Sequence, residues 1–425
     1  MDSRTPRLLV LALTTSVAMA AVGCASSPLH DAARSGRWEK LRAELVNEEA
    51  RAPLDADEVR SLAELVLERE IVTTNDDEAR IAIEQARSCA DFVAAPLEKR
   101  AKRGGRAGAA AKLALYEAAL VSRGWIAEHI DDEDPAFRAA GTRALVRPED
   151  AELRRERIVD ADERVRIQAL AAAMHARDPD DADVLLEAAR LDPSPTARIM
   201  ALRAVGALGG ADIASRLRDL WPTASEADRR AIVEAWATPK TAHTGGVEQL
   251  RRVVRTESGP AAILAATMLA RLDDDPSTAI ALLSRSIASG PQRDRLLAIR
   301  RAPLSDESIL LALREATSDP DTGVRSAAFG RLTESPADRD EALAGLASLA
   351  ESGALTAAVG LARAKDPRAI EPLRKALTSP DPSLRATVGR SLVEVGEYPS
   401  AAKLLGDESA KVRAEVGCAL LISLP

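Results

Sequence analysis

Aromatic side chains are scarce in this chain of 425 residues, where phenylalanine, tyrosine and tryptophan together make up 2%. Large aromatic side chains usually dominate compact globular cores, so their scarcity argues against one large compact core. Alanine, by contrast, is abundant throughout the chain. Small residues at this density favour helices that pack closely together, and the chain is therefore searched first for internal repeats.

Histidine is also rare, and its placement argues against a metal site. The four histidines, His30, His129, His175 and His243, are scattered, and none forms an H-E-x-x-H pair. The sequence has no G-x-S-x-G motif of the kind that presents a nucleophilic serine. We therefore expect a protein that is not an enzyme, with no metal and no cofactor.

Cysteine occurs three times, as Cys24, Cys89 and Cys418. Because Cys89 and Cys418 lie at opposite ends of the chain, we expect each to be a small buried hydrophobic side chain and not part of a structural disulfide. An oxidising compartment would nevertheless permit one.

A long hydrophobic run is absent. The apolar run Leu8–Val22 is shorter than the ~20 residues that a membrane-spanning helix needs. Arg4 and Arg7 precede it and small residues follow it, which is the anatomy of a signal peptide. We therefore expect residues 1–23 to be a signal peptide.

The residues around Cys24 extend this prediction. The tripeptide Ala21-Val22-Gly23 resembles the lipobox of bacterial lipoproteins, and this resemblance implies that Cys24 becomes the lipid-attached first residue of the mature chain. Ala25 follows it, which by the same resemblance implies the periplasmic face of the outer membrane. The alternative is ordinary secretion after the A-x-A site at residues 18–20, which would leave Cys24 a free thiol.

Positive charge is not in excess. The formal net charge is −8; removal of residues 1–23 takes away Asp2, Arg4 and Arg7, a net +1, and leaves −8 − 1 = −9. A mildly acidic chain is a poor binder of nucleic acid or anionic lipid. We expect no nucleic-acid partner, and a membrane contact only through the N-terminal lipid.

An arginine recurs near the start of successive apolar segments, with a mean step near 31 residues from Arg138 to Arg413. The residue three positions later is small, and in five units the residue six positions earlier is an aspartate. The residues of this pattern that are expected to form contacts between units are Arg138, Arg166, Arg198, Arg325, Arg385, Arg413, Asp132, Asp160, Asp192, Asp319 and Asp407. Ala262 and Ala357 occupy two slots that lack the arginine. The Asp/Ser/Thr-Pro clusters predict helix ends and caps.

The pattern resembles the HEAT repeat, and more narrowly the short HEAT-like unit of phycobilisome lyases, whose consensus is nearly reproduced by residues 319–332. The resemblance implies an all-α protein, an α-solenoid with a right-handed superhelix, in which the arginine starts the second helix of each pair and contacts the aspartate of an adjacent unit. Residues 131–425 contain about ten such units. We expect an elongated array in which each unit contacts mainly its neighbours.

Two regions depart from the repeat. Residues 236–250 contain Pro239 and two glycines, which predicts an insertion loop. Residues 24–130 are predicted to form an N-terminal helical cap region with degenerate repeats. Within it, residues 28–41 resemble the opening of an ankyrin repeat.

The favoured function is a membrane-tethered periplasmic scaffold, because solenoids expose long surfaces. Its partner would be another protein of the cell envelope. Candidate contacts are Trp236, since tryptophan is frequent at binding hot spots, and Leu421 and Leu424, which keep the last helix apolar to its tip and predict a partner or self-association there. The alternatives are an enzyme or tetrapyrrole-handling protein of the phycobilisome-lyase-like group, and a chaperone-like carrier.

Overall fold

A computed structural model describes residues 27–47 and 54–424, and within them every regular element is helical. The predicted signal peptide and the lipid-attachment residue Cys24 lie outside the described residues. The chain is an all-α solenoid of two-helix units, as the repeat predicted.

The N-terminal region consists of helices without the arginine pattern. They are α1 (Pro28–Ser35), α2 (Trp38–Val46), α3 (Ala56–Ile71), α4 (Asp76–Ala86), α5 (Ala94–Ala101) and α6 (Gly105–Glu117), with a 3₁₀ segment at Arg87–Val93 between α4 and α5.

Helix pairs follow, each with a first and a second helix. In order they are α7 (Arg123–Ala127) and α8 (Pro135–Thr142), α9 (Ala151–Ile158) and α10 (Glu163–Ala176), α11 (Ala182–Leu191) and α12 (Pro195–Leu208), and α13 (Ala211–Leu220) and α14 (Glu226–Trp236). After the short α15 (Pro239–Thr241) come α16 (Val247–Thr256) and α17 (Pro260–Leu272), α18 (Ser277–Ser289) and α19 (Gln292–Arg301), and α20 (Glu307–Ala316) and α21 (Thr322–Leu332). The last pairs are α22 (Arg339–Glu351) and α23 (Leu355–Arg363), α24 (Ile370–Lys375) and α25 (Pro382–Glu394), and α26 (Tyr398–Ala402) and α27 (Ala410–Ser423).

Short polar side chains cap six of the ten second helices. The Asp134 carboxylate accepts a hydrogen bond from the Ala136 N–H, and the Ser194 hydroxyl accepts one from the Ala197 N–H. Each cap pairs with one of the backbone donors that a helix start leaves unsatisfied. Proline at the first helical position, as at Pro135, sacrifices no helical hydrogen bond because its N–H would be unpaired there.

The second helices stack side by side, and the stack closes on itself. From α8 to α27 each second helix packs on the next, α6 and α4 extend the row on the N-terminal side, and α27 packs on both α3 and α4. The expectation of an elongated array is therefore wrong. The described residues form a closed ring of helices.

One apolar cluster spans the junction between the two ends of the chain, which we call the seam. Leu62 and Leu67 of α3 and Leu420 of α27 belong to the same buried cluster. At Gly406, in the 3₁₀ segment after α26, an added Cβ would lie 2.5 Å from the backbone N of Arg42 in α2. The two ends approach so closely there that only glycine fits.

Polar contacts also cross the seam. Arg413 forms a buried ion pair with Glu70 at 2.7 Å, and its guanidinium lies 4.4 Å from the centre of the Trp38 ring. Arg60 donates a hydrogen bond of 3.0 Å to the Leu424 carbonyl oxygen. Because the Arg413–Glu70 pair is buried together with the apolar cluster, the seam resembles an interior packing surface more than a surface contact.

A disulfide joins Cys89 and Cys418 across the seam, with their Cα atoms 5.7 Å apart. The expectation that these cysteines would not pair is wrong, because positions distant in sequence become neighbours when the ring closes. Cα separations of about 5.5–6 Å are the commonest in protein disulfides.

The C-terminal leucines are covered by the chain itself. Leu421 is 0% exposed and Leu424 is 4% exposed, because α27 lies against α3 and α4. The prediction that these leucines form a surface for another molecule is wrong. The segment that covers them is the N-terminal region of the same chain.

Candidate binding surface

A ladder of arginine–aspartate contacts holds successive second helices in register. Arg166 donates to the Asp192 carboxylate of the next unit at 2.7 Å, and Arg385 does the same to Asp407 at 2.7 Å. The remaining contacts of this kind are Arg138 to Asp160 at 3.2 Å and Arg295 to Asp319 at 3.1 Å. The ladder arginines also donate to carbonyl oxygens just before their own helix, as Arg166 does to the Asp160 carbonyl at 3.0 Å.

Some ladder positions differ from the predicted pairing. Arg198 donates to Asp228, which lies inside α14, because the predicted aspartate position of that unit is an alanine. Arg325 bonds to the carbonyl oxygen of Asp319 and to the Thr322 hydroxyl, since the next unit has lost its aspartate.

The two ends of the ladder are completed by other residues. Asp132 pairs with His129 at 2.9 Å, and the His129 hydrogen bond holds the pKa of Asp132 below its usual value. At the other end, Arg413 donates a hydrogen bond to the carboxylate of Glu70 in α3, which stands in the place of the aspartate. The last unit thus uses the N-terminal region as its neighbour, which a linear reading of the repeat could not predict.

A cavity of about 600 Å³ opens between the C-terminal halves of α10, α12 and α14. Its floor contains Met174, Gly206, Ala207, Ala235 and Pro239. At Gly206 an added Cβ would lie 2.8 Å from the Cα of Ala235, so α12 and α14 can approach this closely only with glycine there. Small side chains on neighbouring helices therefore form a trough.

Positive charge surrounds this trough. Arg177, Arg203 and Lys240 line it together with His175, and Glu234 is the acidic residue among the lining residues. Glu234 pairs with Arg203 at 3.3 Å. The site is therefore cationic, although the whole chain carries a net charge of −8.

His175 lies in this positive field. Burial, together with the charges of Arg143 and Arg177, lowers the pKa of His175 below its usual value. Arg143 donates a hydrogen bond to His175 Nε2 at 2.8 Å, and a ring nitrogen can accept this bond only when it is not protonated. The imidazole is therefore neutral at neutral pH, and the positive charges of the trough come from Arg177, Arg203 and Lys240.

Trp236 does not reach the surface. Its side chain is 1% exposed, its Nε1 donates to the Ala214 carbonyl oxygen at 3.1 Å, and its ring stacks on Trp221 with the centres 5.3 Å apart. The interpretation of Trp236 as a partner contact is wrong, because its ring packs against Trp221 and its Nε1 bonds to a carbonyl oxygen of α13. The segment after α14, where an insertion loop is predicted, consists of the three-residue α15 and a turn at Ala242–Gly246 that is kinked at Gly245, whose φ is 115°.

The trough has little signature in the sequence. Its main signal is the run of small residues G-A-L-G-G at 206–210, which is equally typical of a helix end. The cations that surround the trough come from different units, Arg177 after α10, Arg203 in α12 and Lys240 in α15. Only the stacking of these units brings them together.

Across residues 27–47 and 54–424, no three His, Cys, Asp or Glu side chains are grouped so as to hold a metal ion. In the same ranges, no helix combines the length and hydropathy that a membrane crossing requires. The cavity between α10, α12 and α14 is a candidate binding site of the described residues.

Residues 340–420 match the family described as HEAT repeats. The match covers α22 to α27, where the ladder pair of Arg385 and Asp407 lies. The match covers part of the chain, and the described helix pairs form an all-α solenoid of HEAT-like two-helix units. None of the curated proteins compared with the chain matches it.

Several solved structures are similar to the chain. A mutant form of Kap121p is 14% identical, with 93% of this chain and 51% of that chain covered and a TM-score of 0.30. She4p is 11% identical, with 93% of this chain and 83% of that chain covered and a TM-score of 0.30. The S. pombe condensin Cnd3-Cnd2 subcomplex is 12% identical, with 86% and 64% covered and a TM-score of 0.24. The chain spans about half the length of Kap121p.

Proposed function

We propose that this protein is a scaffold that binds another protein of the cell envelope, and that the binding surface includes the cavity between α10, α12 and α14. The observation that carries the proposal is this trough, which has an apolar floor and a charged margin. Binding sites commonly combine an apolar concavity with a few polar groups that fix orientation.

The proposal also places the protein at the periplasmic face of the outer membrane, tethered through Cys24. The basic and apolar segments of residues 1–23 and the lipobox-like tripeptide support this location. The Cys89–Cys418 disulfide fits it, because disulfides persist in oxidising compartments such as the periplasm.

Site-specific photo-crosslinking tests the binding surface. A photo-crosslinking amino acid is placed at the position of Ala207, on the cavity floor, and in a matched chain at the position of Arg252, which is exposed on the first helix α16. In intact cells, we expect a discrete crosslinked protein from position 207 and not from position 252. That protein is then identified, purified and tested for binding to the wild-type chain and to Ala207→Trp.

Ala207→Trp fills the trough at a half-exposed position, so we expect it to weaken the purified complex at least tenfold without changing helix content. Equal crosslinking from both positions, or unchanged affinity for the filled variant, would place the binding surface elsewhere on the solenoid.

A further inference from the structure

We propose that the cavity between α10, α12 and α14 recognises an acidic segment of the partner that also carries aliphatic side chains. This inference rests on the proposed function, since it names the chemistry of the partner at the same surface. The argument uses the shape of the floor, the charges at the margin and the state of the charged side chains.

The floor accepts apolar side chains. Its volume of about 600 Å³ lies within the range of ~300–1,000 Å³ that is usual for ligand sites. Met174 contributes a flexible thioether, and Met is common at surfaces that adapt to their ligand. Gly206 and Ala235 bring two helix backbones close together, which leaves a shallow trough along which an extended chain can lie.

The margin selects negative charge. Arg203 already pairs with Glu234, whereas the exposed side chains of Arg177 and Lys240 have no hydrogen bond or ion pair with any of the residues that the structure describes. Two cations without partners at the edge of an apolar trough favour carboxylates, because complementary charges speed association and exclude basic competitors. The acidic character of the rest of the chain makes this patch distinctive.

Peptide binding tests the inference on the full mature protein. The probes are two fluorescein-labelled ten-residue peptides, one alternating leucine with glutamate and the other alternating leucine with lysine, measured by fluorescence anisotropy at 50 mM and 300 mM salt. We expect the glutamate peptide to bind at least tenfold more tightly than the lysine peptide, with the difference shrinking at the higher salt because exposed charges are screened.

Charge reversal supplies the decisive comparison. The cavity variant carries Arg177→Glu and Lys240→Glu, and the matched control carries Arg190→Glu and Arg252→Glu, at exposed positions of the first helices α11 and α16. Both variants change the net charge by the same amount. We expect the cavity variant to lose at least tenfold in affinity for the glutamate peptide, and the control to lose less than twofold.

Several results would overturn the inference: no binding of the glutamate peptide up to 1 mM, equal binding of both peptides, or equal losses in the cavity and control variants. Circular dichroism melts of both variants show whether the fold is retained; if the cavity variant is unfolded, Lys240→Ser alone replaces it. The proposed function fails separately, because it depends on crosslinking from position 207. If a partner is crosslinked from position 207 but this protein shows no preference for the glutamate peptide, only the inference is refuted.

Discussion

The closed ring predicts that the Cys89–Cys418 disulfide stabilises the ends of the solenoid. The perturbation is Cys89→Ala with Cys418→Ala, which removes the bond at two buried positions with small, apolar replacements. In an open array the two sites would be independent and their loss would change little. In the ring they clasp segments separated by 329 residues.

The magnitude follows from the length of chain that the disulfide encloses. In the chain-entropy model, a closed loop of this size restricts the unfolded state by about 19 cal/mol/K, or about 6 kcal/mol at 25 °C. Measured losses for native disulfides are usually about 2–5 kcal/mol, so we expect a value in that range. The apolar seam and the Arg413–Glu70 pair remain, and the reduced protein should therefore stay folded at 25 °C.

The assay combines urea unfolding, followed by circular dichroism, with hydrogen exchange of individual helices. We expect reductant to lower the urea midpoint of the wild type and to leave the midpoint of the alanine variant unchanged. Amide protection should fall first in α27, α3 and α4, because neighbouring units of a solenoid open progressively from an end. Helices on the opposite side of the ring, such as α14 and α17, should keep their protection.

Two outcomes would refute this reasoning. One is a non-reduced wild-type protein whose cysteines 89 and 418 are both free by mass spectrometry. The other is equal urea midpoints and equal protection of α27 in the oxidised wild type and the alanine variant, which would mean that the ends do not meet in solution.

Other predictions test the seam, the core, the ladder and the anchor. Arg413→Met should lower the free energy of unfolding in urea by about 3–5 kcal/mol, because it leaves Glu70 buried without its partner. Adding Glu70→Gln should recover part of the loss. Trp236→Ala should lower the free energy of unfolding by about 3–5 kcal/mol. If Trp236 were instead a surface residue that contacts a partner, the same change would leave the stability almost unchanged. Burial opposes ionisation of Asp192, but hydrogen bonds from the ladder arginine and a backbone N–H hold its pKa below the ordinary 3.8. The stability that ionised Asp192 contributes should therefore be fully present above pH 3.8 and be lost as the pH falls through the folded-state pKa. Urea midpoints that rise between pH 4 and pH 3 would contradict this. Cys24→Ser removes the proposed site of lipid attachment and should move the protein from the membrane to the soluble periplasmic fraction, since stable anchoring needs two lipid signals and the variant would have none. An unchanged distribution between the fractions, with no palmitate incorporated by the wild type, would reject the anchor.

The sequence by itself determined the local architecture. Caps such as Asp134 and Ser194, the periodic small residues and the arginine anchors all act within one or two units. Contacts of this range follow from the spacing of residues along a helix, which the sequence displays directly. The helix pairs and the ladder contacts of Arg138, Arg166 and Arg385 could therefore be predicted without a structure.

Only the tertiary structure decided that the ends meet. Closure depends on the small rotation between one unit and the next, summed over the whole array, and no single residue pattern encodes that sum. Cys89 and Cys418, Glu70 and Arg413, and the cover over Leu421 all follow from it. The cationic trough likewise exists only because stacked units bring together side chains that are far apart in the chain.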